Sequence, residues 1–468
     1  MKLFSHDLRF ASRMAALIAL LAGLAGPAGG RLVLAAQNSS PTTSPTTIKV
    51  EVKQVLVPVV VTDRHGHSVV GLKQSDFEVL EDGDPQTLTS FGIASIAGET
   101  LPAVLDSQPA SALAAPPAAR PAAAPRRTYL ICLDTLNSAF ENFSTVRSAL
   151  HKLFKQEEGS DAQYALVALG RQPVVVENLT EDPGAILAAL GSKELNKAIE
   201  QSESSNLATQ ESELTRALGE YCQQCPCAGA AASTTRTSGG SGQICDGKRQ
   251  RVEMWAESAA QERTILTRDF LHNVRELEGK LAAQPGKRIF ILISDGFNLR
   301  PGRDLFGLIA AYLQDPSELM KNPVDNLEPE VQAILRLATA RNVTFYTLDS
   351  RGLYTSPTGG YDASGEYQMT RVVVLLPQVQ QQKESAALEN QDAMRELAAT
   401  TGGVFFHNSN DLFKGMRQAL ADGREYYLLS YVSTHKSADG KFHAIAVHVK
   451  GKDLVVRAKR GYWASAGG

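Results

Sequence analysis

The chain of 468 residues is poor in several features that would point to a catalytic or nucleic-acid-binding role. It has no run of five or more like charges, and its formal net charge is −3. Without a basic field or a charged tail, nucleic acid is excluded as a partner. No glycine-rich turn follows the first buried strand pattern, where a dinucleotide-binding fold needs one. A P-loop, a Gly-x-Ser-x-Gly elbow and a His-Glu-x-x-His pair are missing as well. These absences argue against an enzyme. The nine histidines show no metal-ligand spacing, and His65 and His67 read as turn residues. What remains is ordinary: 43% hydrophobic and 21% charged residues, enough for a sizeable core and two to four domains.

One long apolar run occurs, and it lies at the N-terminus. Lys2, Arg9 and Arg13 precede an apolar stretch from Met14 to Ala25, followed by small residues. This order predicts an export signal over 1–36 with cleavage after Leu34-Ala35-Ala36. The stretch falls short of the about 20 residues a span needs, although an uncleaved anchor is the alternative. No cysteine follows it to carry a lipid, and no second such run exists, so the mature chain is expected without a membrane span. Together these place the protein outside the cytoplasm, periplasmic or extracellular.

Only five cysteines are present. Cys222, Cys225, Cys227 and Cys245 cluster in one polar segment, and Cys132 sits alone in an apolar strand pattern. In an oxidising compartment the four are expected to form two disulfides. A Cys₄ zinc cage is the competing reading. Cys132 reads as a buried small hydrophobe.

Segment 37–97 opens Ser/Thr/Pro-rich and then reads as a small β unit. Strand patterns cover Ile48 to Val61, Val69-Val70, Phe77 to Leu80 and Thr87 to Phe91, with a turn at Glu81-Asp82-Gly83-Asp84. An Ala/Pro-rich linker occupies 98–126. From 127 to 422 strands alternate with helices. Apolar strands at 129–133, 164–169, 174–176, 288–293, 343–348 and 404–406 are separated by helical patterns, including 251–283 and 385–400. This alternation predicts a doubly wound, mainly parallel, Rossmann-like α/β sheet, interrupted by the cysteine-bearing insertion 222–248. Over 423–468 the chain is β again, with strands at 426–432, 442–449 and 454–458. Each flank is short of strands for an independent domain. One economical arrangement therefore pairs them into a single β-sandwich with the α/β module inserted.

In an open parallel sheet, ligands sit beyond the carboxyl ends of the strands. Polar residues follow three of the buried strands: Asp134-Thr135-Leu136-Asn137-Ser138, Ser294-Asp295-Gly296 and Asp349-Ser350-Arg351-Gly352. Two carboxylates and a hydroxyl at one edge suit a hard cation such as Mg²⁺, which keeps several waters. The plainer reading is that Asp134, Asp295 and Asp349 cap helices and hold loops. The long segment 350–383 should also emerge at this edge.

An apolar strand ending in Asp134 with Ser138 behind it, and a later one ending in Ile293-Ser294-Asp295-Gly296, resembles a von Willebrand factor A (vWA) domain. Asp63-Arg64-His65-Gly66, Asp76-Phe77-Glu78-Val79, Leu133-Asp134-Thr135-Leu136-Asn137, Tyr426-Tyr427-Leu428-Leu429-Ser430-Tyr431 and Gly461-Tyr462 further resemble exported vWA-related proteins of acidobacteria. The resemblance implies a metal-ion-dependent adhesion site holding Mg²⁺, Mn²⁺ or Ca²⁺ and accepting a partner protein's carboxylate. Asp134 matches the first aspartate, Ser138 the second serine and Asp295 the later aspartate. Leu136 stands where the first serine belongs and cannot bind metal. Thr264 and Thr267 are the candidates for the threonine, though no Gly-Thr loop marks either. The function so implied is a protein-interaction module. A metal-independent scaffold of the cell envelope is the alternative, and a metal-dependent hydrolase the least supported.

Overall fold

The computed structural model describes residues 54–94, 127–157, 162–225, 227, 241–321, 326–353, 369–435 and 439–464, all within one unit, Val52–Gly468. The expected export signal, the Ala/Pro-rich linker, most of the polar insertion and segment 354–368 lie outside the described residues.

The chain enters through four strands, β1 (Gln54–Thr62), β2 (Phe77–Glu81), β3 (Asp84–Gln86) and β4 (Leu88–Ala94). The Asp82-Gly83 pair joins β2 to β3 with φ of 53° and 94°, the two positive values a tight type I′ hairpin demands. Two expectations need correcting. Val69-Val70 makes no strand; the chain there forms only an isolated bridge, Thr62 with Ser68. The strand expected at 87–91 runs Leu88–Ala94 instead.

The α/β module follows. Its elements are β5 (Arg127–Asp134), α1 (Asn142–Gln156), β6 (Ala162–Leu169), β7 (Pro173–Thr180), α2 (Pro183–Ala189), α3 (Lys193–Glu200), α4 (Ser204–Gln224), α5 (Ser241–Ala282), β8 (Lys287–Ser294), α6 (Arg303–Leu313), α7 (Glu328–Arg341), β9 (Val343–Asp349), α8 (Met369–Thr401), β10 (Phe405–Phe406) and α9 (Leu412–Arg424). The sheet order is β10-β9-β8-β5-β6-β7. All pairs are parallel except β6 with β7. A link of three residues, 170–172, leaves β7 no room to cross over, so it returns as an antiparallel edge.

Strand β5 is buried at every position, as a central parallel strand covered on both faces must be. Alternate side chains feed two cores. Tyr129, Ile131 and Leu133 pack with apolar residues of α1, α2, α3 and α9. Leu130 and Cys132 pack with those of α5, α7 and α8. Cys132 is thus a free, buried core residue. A third cluster joins α4, the first half of α5 and α6. Helix α6 was not anticipated, and α5 and α8 start earlier than their patterns suggested, at Ser241 and Met369. The four clustered cysteines pair as Cys222–Cys227, closing a loop at the end of α4, and Cys225–Cys245, tying that end to the start of α5.

The last strands are β11 (Tyr426–Val432), β12 (Phe442–Val449), β13 (Val455–Ala458) and β14 (Gly461–Trp463). They join the first four in two antiparallel sheets, β13-β1-β11-β4 and β14-β12-β2-β3. Val57, Val59, Val79, Leu429, Tyr431 and Ile445 share one core between these sheets. The flanks therefore complete each other around the α/β module. Where the two parts meet, Arg457 of β13 grips Asp422 of α9 through two hydrogen bonds of 2.6 and 2.9 Å, and Tyr346 of β9 donates to the same carboxylate at 2.8 Å.

Candidate functional site

The strand order reverses between β5 and β8: the chain builds outward to β7 on one side and to β10 on the other. Such a switch point opens a crevice at the carboxyl ends of its two strands. Asp134 ends β5, and Ser294 ends β8 with Asp295 next to it.

The side chains there hold one another. Asp134 Oδ1 accepts from the Leu136 and Asn137 amides, both at 2.9 Å. Its Oδ2 accepts from Asn137 Nδ2 at 2.9 Å and Ser294 Oγ at 2.5 Å. The carboxylate is fully buried, and burial pushes its pKa up to about 6 against the opposing hydrogen bonds. Asp295 Oδ2 accepts from the Ala139 amide at 2.9 Å and Asn142 Nδ2 at 2.8 Å, and Ser350 Oγ donates to Oδ1. Burial raises the Asp295 pKa as well. The Asp295 amide donates to Ser138 Oγ at 3.1 Å. Asp349 accepts from the Arg351 side chain at 2.8 and 2.9 Å and from Gln391 at 2.7 Å.

Asp134, Ser138 and Asp295 are thus brought together at one edge. Leu136 turns its side chain into the core with Cys132 and Val167. Of the two threonines, Thr264 Oγ1 donates back to Ala260 O of its own helix at 2.7 Å. Thr267, nearly one turn further along α5, lines the crevice. Gly296 carries φ of +95°, and a Cβ there would stand 2.5 Å from Asn390 O of α8. That close approach is why glycine follows Asp295.

As donors to a cation, these residues fit poorly as they stand. All four oxygens of Asp134 and Asp295 already accept hydrogen bonds, Thr264 is engaged with its helix, and Leu136 offers no oxygen. An ion would have to displace several N–H and O–H donors first.

Above the strand ends lies a cleft of about 210 Å³ that includes Asn137, Arg263, Thr267 and Phe297 in its walls. A second cleft of about 310 Å³ shares Glu211, Asp304, Ala386 and Asn390 with it, so the two form one groove. Ion pairs stand in its walls between apolar side chains such as Leu207, Leu266 and Phe297. Arg263 pairs with Asp304 at 2.6 Å and Lys383 with Glu211 at 2.8 Å. Sequence reasoning reached the aspartates but not this wall, because α4, α6 and the front of α8 come from segments without strand-end motifs.

A different cluster of metal-capable side chains lies in the β-sandwich. Glu81, His435 and His443 converge there, although histidine spacing in the sequence suggested none.

No protein-family model matches the chain, and no curated protein does. Among solved structures it is similar to an aerotolerance-related membrane protein from Bacteroides fragilis at 10% identity and a TM-score of 0.25, covering 63% of this chain and 98% of that one. BatB, a conserved hypothetical protein from Bacteroides thetaiotaomicron, follows at 12% identity and a TM-score of 0.24, covering 64% and 98%. The pilus adhesin SpaC from Lactobacillus rhamnosus GG matches at 9% identity and a TM-score of 0.31, covering 73% and 44%. Likenesses this distant bring no ligand, partner or activity to this chain.

Proposed function

We propose that this chain is an exported protein-interaction module of the vWA type, and that a protein partner docks in the charged groove above the ends of β5 and β8. The observation that carries this reading is that Asp134, Ser138 and Asp295 stand on either side of the switch point, next in the chain to Asn137 and Gly296, which line that groove. Motif order supports the vWA type. The N-terminal export pattern and the two cysteine pairs support a location outside the cytoplasm, periplasmic or extracellular. Among the described residues no helix is long and apolar enough to cross a membrane.

The engaged carboxylates favour docking without a resident ion: the loop network lies under the groove, and the ion pairs Arg263–Asp304 and Lys383–Glu211 give its walls both signs of charge for a partner of mixed charge to meet. The ion-assisted version, with Mg²⁺ held by Asp134, Ser138 and Asp295, keeps one observation in its favour, the convergence of these three oxygen-bearing side chains.

The test is capture from the native envelope fraction with the wild-type chain and Lys383→Glu, whose reversed charge sits in the groove wall. A protein retained by the wild type and lost by the variant is the expected outcome. An identical captured set for both chains would count against the groove. Calorimetry with Mg²⁺, Mn²⁺ and Ca²⁺ separates the two versions. Heat that disappears in Asp134→Ala restores the ion, and no heat with any of the three retires it.

A further inference from the structure

We propose that the β-sandwich binds a divalent first-row metal ion, zinc in the first instance, between Glu81 at the end of β2, His435 just beyond β11 and His443 on β12. Glu81 and His443 are buried, and His435 is partly so. One potential ligand atom from each residue lies within 4.8 Å of the other two. Glu81 Oε1 stands 3.2 Å from His435 Nδ1 and 3.9 Å from His443 Nδ1. Ligands at about 2.0–2.2 Å around a tetrahedral ion sit roughly 3.3–3.6 Å apart, so these two edges bracket the required spacing.

Nδ1 of both rings faces the Glu81 carboxylate. His443 Nε2 lies 3.2 Å from Asp439 Oδ1, and His435 Nε2 lies 3.6 Å from Asp84 Oδ2. An acceptor behind the imidazole is the usual outer shell of a metal-bound histidine, and Asp439 takes that place behind His443. Glu81 Oε1 also accepts from Ser433 Oγ at 2.5 Å and from the Tyr462 hydroxyl at 3.2 Å, donors that an ion would displace. Asp82 Oδ2 adds a further acceptor 2.7 Å from His443 Nδ1. Glu81 Oε2 is buried without a well-formed hydrogen bond, the Tyr431 hydroxyl lying beside the carboxylate. The carboxylates of Glu81, Asp82 and Asp439 around two imidazoles, with one buried carboxylate oxygen lacking a well-formed partner, favour positive charge at this point.

The donor set selects the ion. Two imidazoles and one carboxylate suit zinc and its first-row neighbours rather than Mg²⁺ or Ca²⁺, which prefer oxygen alone. Position suggests the role. Glu81 and His435 are 354 residues apart, one on each flank of the sandwich. An ion between them would clip the two flanks together and stabilise the folded chain by mass action. This inference is independent of the groove.

The full-length untagged chain, stripped with chelator, is titrated with Zn²⁺ and Co²⁺ by calorimetry, with the melting temperature followed in parallel. One ion per chain and a higher melting temperature are expected. His435→Ala should weaken binding at least tenfold and abolish the thermal shift, and Glu81→Gln should do the same if it folds. His435 lies outside the strands and is partly exposed, so its variant remains a fair test if the buried one does not fold. No stoichiometric binding by the wild type overturns the proposal, leaving a hydrogen-bonded imidazolium network. So does a His435→Ala chain that binds as tightly as the wild type.

Discussion

Glu278, on α5, is fully buried, and neither carboxylate oxygen has a hydrogen-bond partner. Burial pushes its pKa up to about 9, with Arg275 pulling weakly the other way. The folded chain therefore keeps this proton where the unfolded chain, near 4.5, has lost it. Its contribution is fully present below about pH 4.5 and is lost progressively as pH rises towards 9. Glu278→Gln keeps the shape of the neutral acid without the titration. It should stabilise the fold by up to about 3 kcal/mol at pH 7 and by almost nothing at pH 4, read as denaturant midpoints at the two values. Nothing in the sequence marks Glu278, since one acid among many on a 42-residue helix looks solvated. Asp134, Ser138 and Asp295 were legible because the strand-end rule points at them. What could not be read was their state. Whether a carboxylate is open or engaged depends on Asn137, Asn142 and Ser350 folding over it.

Between elements, the junction of α9, β9 and β13 rests on the Asp422–Arg457 pair and the Tyr346 hydroxyl. Both charged groups are largely removed from water. Truncating one strands the other, so Asp422→Ala should cost about 3–5 kcal/mol in urea unfolding. Replacing Asp422 and Arg457 together with apolar residues of similar size should recover much of that loss. The central strands of the α/β sheet were legible from their continuous apolar runs, and the Asp82-Gly83 hairpin from its dipeptide. Helix α6 was not: its apolar face packs on α4 and α5 rather than on the sheet, so it fits no strand–helix alternation. Strand β7 was recognised as a strand, but its direction depends on a short link rather than on its composition.

For the whole molecule, the α/β module carries three core clusters, whereas the sandwich core draws on both ends of the chain. Residues 127–425 expressed alone should give a dispersed amide spectrum, and 54–94 alone should stay unfolded. A folded 54–94 fragment would contradict the shared core. That the flanks belong together follows from each having too few strands. Which strand meets which was beyond the sequence, because the register of β1 on β11 is decided by contacts such as Val59 with Tyr427.

Gln54 of β1 bonds Ser430 of β11 across 376 positions of the chain. At about 5–20 residues per second of synthesis, β1 waits roughly 20–75 s for that partner to exist. During that interval its edges are open templates for stray pairing. A chain halted before Tyr426 never closes them. Completion of the sandwich thus reports that the whole chain has been made, and truncated copies are left displaying an unfinished sheet to whatever surveys misfolded proteins.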